Sequence, residues 1–339
     1  MILAIKTLHI LNSYMRRFLF YLLILVFFIN CSDNNKKRFL PNSVGKINSL
    51  SIVIENELWN GVVGDTLRNY FAQPVEDIPG EQEPIFSIQQ LPHQVFKGAT
   101  RYGRNVLVID TDNKNKFDIR DTLFAKPQKV AFLIGETTDD LILLIQKHAK
   151  KIIQTYKDNE LKESQARFKT SLNSTKNIED KLNIKLSIPS SFSLVKQENN
   201  FFWFEQKIKG GSSNLIIYEM PLNKICIDNT DCTEAIIHMR DSIGEKYIPG
   251  REEGMYMITG QAFAPSIYKQ KIGERNVIES RGLWQVKNFI LGGPFINYIF
   301  ENPERNRCIV LEGFVSAPGT PKRDFLFELE AIIKSIEFI

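Results

Sequence analysis

The chain has 339 residues, with 43 Lys and Arg against 39 Asp and Glu, giving a formal charge of +4. Residues 1–30 hold Lys6, Arg16 and Arg17 and no acid, so without them the charge falls to about +1 and the chain has no electrostatic reason to seek nucleic acid. What remains exceeds the usual size of one domain, and two domains are the expectation.

Arg16 and Arg17 precede twelve uninterrupted apolar residues, 18–29, then Asn30 and Cys31. Such a run spans about 18 Å as a helix against about 30 Å of hydrocarbon core, too short for a transmembrane anchor and suited to the apolar region of a secretory signal. Because the run ends at a cysteine followed by Ser32, Asp33 and Asn34, it reads as a bacterial lipoprotein signal. Residues 1–30 are then the leader and Cys31 the acylated, palmitate-bearing membrane tether, with 31–46 as a linker. Translation from Met15 would give the compact form of this signal. Asn30 is larger than the Gly, Ala or Ser usual before such a cysteine, and an ordinary signal peptide or a short buried helix stays open as the alternative. Lys36, Lys37 and Arg38 read as a solvated tether.

The first half covers residues 47–156. Residues 49–55 read as a strand, and 58–73 as a helix that stops before Pro74. A loop with Pro79, Gly80 and Pro84 leads to a strand near 86–91 and a short helix from Pro92. Residues 104–110 and 129–135 are two further β-branched apolar runs. Thr137 or Thr138 then caps a helix carrying Leu141, Leu144, Ile145, His148, Ile152 and Tyr156 on one face. Residues 157–185, rich in Lys, Glu, Asn and Ser, read as a polar helical connector.

The second half, 186–339, shows more hairpins. A strand at 201–208, a turn at Gly210 and Gly211, and a strand at 214–219 come first. A helix follows from Thr233, then strands at 281–287, 295–301 and 308–315, and a closing amphipathic helix at 323–336. The fold class is therefore α+β: two sheet-plus-helix halves, mixed or antiparallel, with helices on one face of each sheet and a long polar helical segment between them.

Cys226 and Cys232 flank the turn-forming Asp228-Asn229-Thr230-Asp231, so a small disulfide loop is possible, while Cys308 within an apolar strand reads as a buried free thiol. Three cysteines without clustered histidines make a poor zinc site, and no metal or other cofactor is expected. The acidic segment 110–118 lacks the Gly of a calcium loop and carries Lys114 where an oxygen ligand is wanted; it reads as a solvated turn. Ser43 with Lys46, and Ser193 with Lys196, match Ser-x-x-Lys but lie in an entry segment and a strand, and are read as coincidences of spacing.

The leader, Leu40-Pro41-Asn42-Ser43-Val44-Gly45, the segment from Leu58 to Arg68, Glu83-Pro84-Ile85-Phe86 and Arg104-Asn105 opening a strand together resemble an uncharacterised lipoprotein family of the Bacteroidetes type, a domain of unknown function. That resemblance implies no catalytic residues, because the family has no assigned activity.

Four consecutive aromatics, Phe201, Phe202, Trp203 and Phe204, alternate across a strand and need cover on both faces. Phe202, Trp203 and Phe204 are therefore the candidate partner-binding residues. The expected function is a non-catalytic binding or scaffold lipoprotein of the cell envelope, on the periplasmic face of the outer membrane, holding a protein partner near the membrane. Two alternatives stand beside it. One is an envelope hydrolase or carbohydrate-active enzyme whose site assembles from distant residues such as His93, Asp65, Arg104 and Asp110. The other is a small-ligand or glycan-binding module.

Overall fold

In a computed structural model of the chain, residues 39–75, 83–222 and 232–339 are described. The signal, Cys31, and Cys226 of the expected disulfide loop lie outside them.

The first sheet is built from β1 (Ser49–Val53), β2 (Ser87–Leu91), β3 (Asn105–Thr111), β4 (Lys116–Asp121) and β5 (Lys129–Gly135), in the order β2-β1-β3-β5-β4. All neighbours are parallel except β4, which runs antiparallel along one edge. Five successive residues of β3, Asn105 to Ile109, are buried, and 106–109 read as a continuous apolar run because a central parallel strand is covered on both faces. On one face, Leu50, Ile52, Leu107, Ile109 and Leu133 pack against α2 (Val62–Phe71) and α3 (Thr138–Phe168). On the other, Val53, Val106, Val108 and Val130 lie under Phe96, Leu123 and Phe124.

Three local expectations change. The helix expected at 58–73 is two helices, α1 (Asn56–Asn60) and α2, broken at Gly61, whose extended backbone serves as cap for both. The segment 110–118 expected as a turn is one only at 112–115, since 110–111 end β3 and residues 116–121 form strand β4; an edge strand with no fully buried residue needs no apolar run to mark it. The helix begun by Thr137 does not stop at 156. It runs on to Phe168, because its polar last turns bury Asn159, Glu160 and Ser164 against the rest of the chain. Its start is fixed by a capping box in which Thr137 and Asp140 satisfy each other's exposed backbone amides.

After α3 come α4 (Lys176–Leu182), β6 (Ile184–Lys185), β7 (Ser193–Glu198), β8 (Phe201–Ile208), β9 (Gly211–Pro221) and α5 (Thr233–Tyr247). They are followed by β10 (Met257–Thr259), β11 (Ser266–Ile272), β12 (Arg275–Val286), β13 (Gly292–Asn302), β14 (Arg307–Ser316), α6 (Arg323–Ile333) and β15 (Glu337–Phe338). The large sheet has eight strands, ordered β10-β12-β13-β14-β9-β8-β7 with β11 beside β12, and every pairing is antiparallel. One face packs on Phe168 of α3, on α4 and on α6. The other packs on α5 and the chain that follows it.

Both faces being covered overturns the expectation for the aromatic run. Phe202 and Phe204 are buried in the first of these cores, and Phe201 in the second, stacked on Tyr247 with ring centroids 4.2 Å apart. The phenylalanines are thus covered by the chain itself and present no surface to a partner. Trp203 alone of the four remains half-buried.

Residues 41–339 form one compact unit. α3 spans both sheets: its first turns pack on the first and Phe168 on the second. Side chains add to this link. Arg323 donates from Nη1 to the Pro84 carbonyl at 2.6 Å and from Nη2 to Ser87 Oγ at 3.1 Å, and Asn48 donates to Asp324 Oδ1 at 3.0 Å. Among the described residues, no helix is long and apolar enough to cross a membrane.

Candidate functional site

A cleft of about 400 Å³ opens on the α5 side of the large sheet, between β8, β9, β12 and β14 and the segment 248–257 that leaves α5. Its floor follows from strand register. Glu205, Asn214, Phe314 and Phe295 stand opposite one another across β8, β9, β14 and β13, so their side chains share one face. Trp203 and Trp284 bracket Phe314, with ring centroids 6.4 Å and 5.4 Å from it. Met255, Phe289 and Leu291 complete the apolar wall, and Ser212, Arg251 and Glu252 stand with Glu205 and Asn214 as its polar groups.

Each indole is held by its N–H. Trp203 Nε1 donates to Asn214 Oδ1 at 3.0 Å, and Asn214 in turn donates to Ser212 Oγ at 2.9 Å. Trp284 Nε1 donates to the Val315 carbonyl at 3.2 Å. That bond reaches across β13, and Gly293 of β13, paired with Trp284, leaves room for it: a Cβ there would fall 2.1 Å from the Val315 carbonyl oxygen and 3.2 Å from the indole nitrogen. With both N–H groups engaged, the indoles offer the cleft only their apolar faces, a rigid wall for an apolar body.

Behind the floor, one register position further along the same strands, lies a buried polar layer. Arg240 of α5 makes two hydrogen bonds to Glu312, both 2.8 Å, another to Thr259, and stacks on Phe295. Glu312 also accepts from Asn297 Nδ2 at 2.8 Å. Because donors surround the carboxylate and an aromatic ring covers the guanidinium, both charges are buried without being orphaned. The layer fixes α5 on the sheet and so sets the height of the cleft's roof.

The four residues of the hydrolase alternative do not converge. Arg104 and Asp110 stand at opposite ends of β3, about 20 Å apart at strand rise. Arg104 is an internal anchor, donating to Glu160 Oε1 at 3.0 Å and to the Gly45 carbonyl at 2.9 Å. His93 Nε2 lies 3.0 Å from the Ile109 carbonyl, and Asp65 is exposed and paired with Arg68 on the same helix. His148 stacks on Phe117 at 3.9 Å; burial, then Lys147 and Lys151, lower its pKa. Among the described residues no group of His, Cys, Asp and Glu could hold a metal ion. Cys308 is a buried thiol pushed up to about 12 by burial, and Cys232 is buried at the start of α5.

Sequence reasoning found Trp203 but not Trp284, Phe314 or Met255, which come from strands and a loop far apart in the chain. Their signal was an aromatic residue with a strand neighbour of the wrong polarity: Phe314 shares its face with Glu312 and Asn214 with Ile216.

Residues 171–335 match a family described as a domain of unknown function (DUF4837), and residues 43–169 match a second such domain (DUF8532). No curated protein matches the chain. Among solved structures, the chain is similar to a crystal structure from Bacteroides thetaiotaomicron VPI-5482, with 12% identity over 46% of this chain and 45% of that one and a TM-score of 0.24. The chain thus spans less than half the length of that protein. It is also similar to a STAR-related lipid transfer protein from Xanthomonas axonopodis, at 9% identity over 43% of this chain and 96% of that one, TM-score 0.23. A third is the lipid transfer and protein localization domain of human StarD13, at 12% identity over 50% of this chain and 99% of that one, TM-score 0.20.

Proposed function

We propose that the chain is a non-catalytic binding protein of the cell envelope, tethered through acylated Cys31, whose large sheet receives a small amphipathic molecule in the cleft beside Trp203. The single observation that carries the binding reading is the cleft itself. It combines a volume of about 400 Å³, within the range of small-molecule sites, with apolar aromatic walls and a few polar groups gathered at Glu205, Asn214 and Ser212. The outline of the signal at residues 16–31 supports the tether. An apolar body would lie between Trp203, Phe314 and Met255, with its hydroxyl or amine end toward the Glu205 carboxylate.

The test is native mass spectrometry of protein taken from its source membrane, followed by solvent extraction of whatever it carries. A defined small molecule should accompany the wild type and be lost from Trp203→Ala, a half-buried position at the edge of the α5-side core. Wild-type protein that arrives empty, and whose tryptophan emission no envelope extract alters, would sink the reading. Labelled fatty acid entering the wild type but not Cys31→Ala checks the tether separately.

A protein partner remains a second reading because of the rim. Ile290 is fully exposed and Phe289 and Phe263 about half exposed, so three large apolar side chains stand in water near the cleft's edge. Loss of a crosslinked envelope protein on Ile290→Asp, with the small-molecule cargo retained, would favour that reading.

A further inference from the structure

A second cavity, of about 320 Å³, lies between the first sheet and α6, and it differs in kind from the aromatic cleft. Its walls carry four cations, Lys157, Arg281, Arg323 and Lys334, and three carboxylates, Asp158, Glu279 and Glu330, above an apolar side made by Ile85, Leu161, Leu326 and Phe327. Three of the cations already have an acidic partner. Arg281 pairs with Glu279 and, at 3.1 Å, with Glu330. Lys334 pairs with Glu330 at 2.6 Å, and Arg323 with Asp324 at 2.8 Å.

Lys157 is the exception. Its Nζ donates to Asn48 Oδ1 at 2.7 Å and to the Ile85 carbonyl at 3.0 Å, both neutral acceptors. Phe86 and Phe327 lie 4.8 Å and 5.3 Å from it. No carboxylate reaches ion-pair distance of it among the described residues, and the nearby Arg323 repels it. An ammonium so placed has one N–H direction left and a cavity in front of it; a half-buried cation without an ion-pair partner is stabilised by whatever anion can reach it.

We propose that this cavity is a binding site for a small oxyanion, a carboxylate or a phosphate monoester with a short apolar body, whose charge is received by Lys157 with Arg323 beside it. The apolar residues would cover the body of the ligand. The bound anion also removes the repulsion between the two cations, so the site gains electrostatically from occupation in a way the empty cavity does not. The proposal is independent of the aromatic cleft, which lies on the far side of the large sheet.

The charged groups facing Lys157 define how binding should follow pH. From α6 these are Arg323, Asp324, Glu330 and Lys334; from β12, Glu279 and Arg281; and from its own helix, Asp158 and Glu160. Burial first, then Arg323, lowers the Lys157 pKa to about 8, against the weaker pull of Glu330, Asp324 and Glu160. Binding of a carboxylate such as acetate should therefore weaken as pH rises through 8 and the ammonium deprotonates.

The experiment is to label lysine at Cε with carbon-13 in the 41–339 unit together with its preceding segment, and to titrate with inorganic phosphate, acetate and butyrate separately. The Lys157 resonance should move saturably with at least one of them, and its titration midpoint should rise in the complex. Saturation by phosphate alone assigns a phosphate ligand, and by acetate or butyrate a carboxylate. Lys157→Met should weaken binding at least about tenfold, roughly 1.4 kcal/mol, while Lys157→Arg retains it. No saturable movement of the wild-type resonance with any of the three overturns the proposal, and this arm needs no variant to fold. Equal affinity in wild type and folded Lys157→Met overturns it as well.

Discussion

Single buried charges are where this molecule commits most heavily. Arg240 and Glu312 are each about 1% exposed and joined by two bonds from the Nε–Nη2 edge of the guanidinium. Truncating one partner leaves the other buried alone, so Arg240→Met should cost about 3–5 kcal/mol in urea unfolding, whereas the double change Arg240→Met, Glu312→Leu should recover much of that loss. Glu330 shows the same economy with a pH signature. Burial would raise its carboxyl, but Arg281 and Lys334 outweigh it and hold the group at about 2, against 4.5 when unfolded. A depressed carboxyl stabilises the fold above the unfolded value and loses that contribution as pH falls from 4.5 toward 2. The contribution is about 3 kcal/mol by that shift. Stability measured across this window should therefore fall less steeply in Glu330→Gln than in the wild type; equal slopes would show that the ion-pair cluster is not what depresses it. Close to the Arg240 layer, Ser280 Oγ, Asn297 Oδ1 and Tyr218 OH are buried without a partner. The first two belong to residues that face each other across β12 and β13, a spacing that suits one bridging water.

At the level of elements, Gly244 governs how closely α5 approaches β10. A Cβ at this position would lie 1.8 Å from the Met257 carbonyl oxygen. Helix propensity alone favours Ala over Gly by about 1 kcal/mol. Even so, Gly244→Ala should destabilise, and should lift α5 so that ligand binding in the Trp203 cleft weakens with it. A variant of unchanged melting temperature would mean that α5 is not pinned there. Much of this layout could be read from the residues. The apolar runs at 129–135 and 201–208 coincide with β5 and β8, and Thr137 is the cap of α3 as its hydroxyl and the following acids suggest. What escaped was set by partners distant in sequence. β4 and β11 are edge or outer strands with little burial, so alternation gave no signal. The last turns of α3 look solvated because their buried residues are polar: Asn159 and Glu160, bonded to Asn105 and Arg104 from the first sheet, and Ser164, which accepts from Arg167. Phe202 and Phe204 looked surplus because only one covered face was counted. The second cavity was invisible for a similar reason: Lys157 reads as one of many lysines in a polar stretch until Asn48, Ile85 and Arg323 are brought around it.

For the molecule as a whole, the two sheets are joined by more than a shared helix. Glu83 accepts backbone N–H bonds from Lys322 and Arg323 at the start of α6, and Gln165 of α3 donates to the Ala331 carbonyl at 3.0 Å. These bonds run between the part of the chain before residue 170 and the part after it, so the halves should unfold together. Trp59 reports on the first sheet, Trp203 and Trp284 on the second. In variants retaining only Trp59 or only Trp284, the fluorescence melts should coincide, as for a two-state unit. A separate, earlier transition at Trp59 would mean that the first sheet melts before the second.

The entry segment has a mechanical meaning. Before β1, the chain is held by Lys126 N–H to the Pro41 carbonyl, Ser43 N–H to Lys126, Val44 N–H to Tyr102 and Arg104 N–H to the Val44 carbonyl, at 2.8–3.2 Å. Tension arriving from upstream falls on this short ladder ahead of any sheet strand. Its rupture would release about four residues, roughly 14 Å of slack, while β1 and its neighbours stay paired. The segment therefore acts as a sacrificial spring, yielding and re-forming so that tugging on the N-terminal side need not be felt in either cavity.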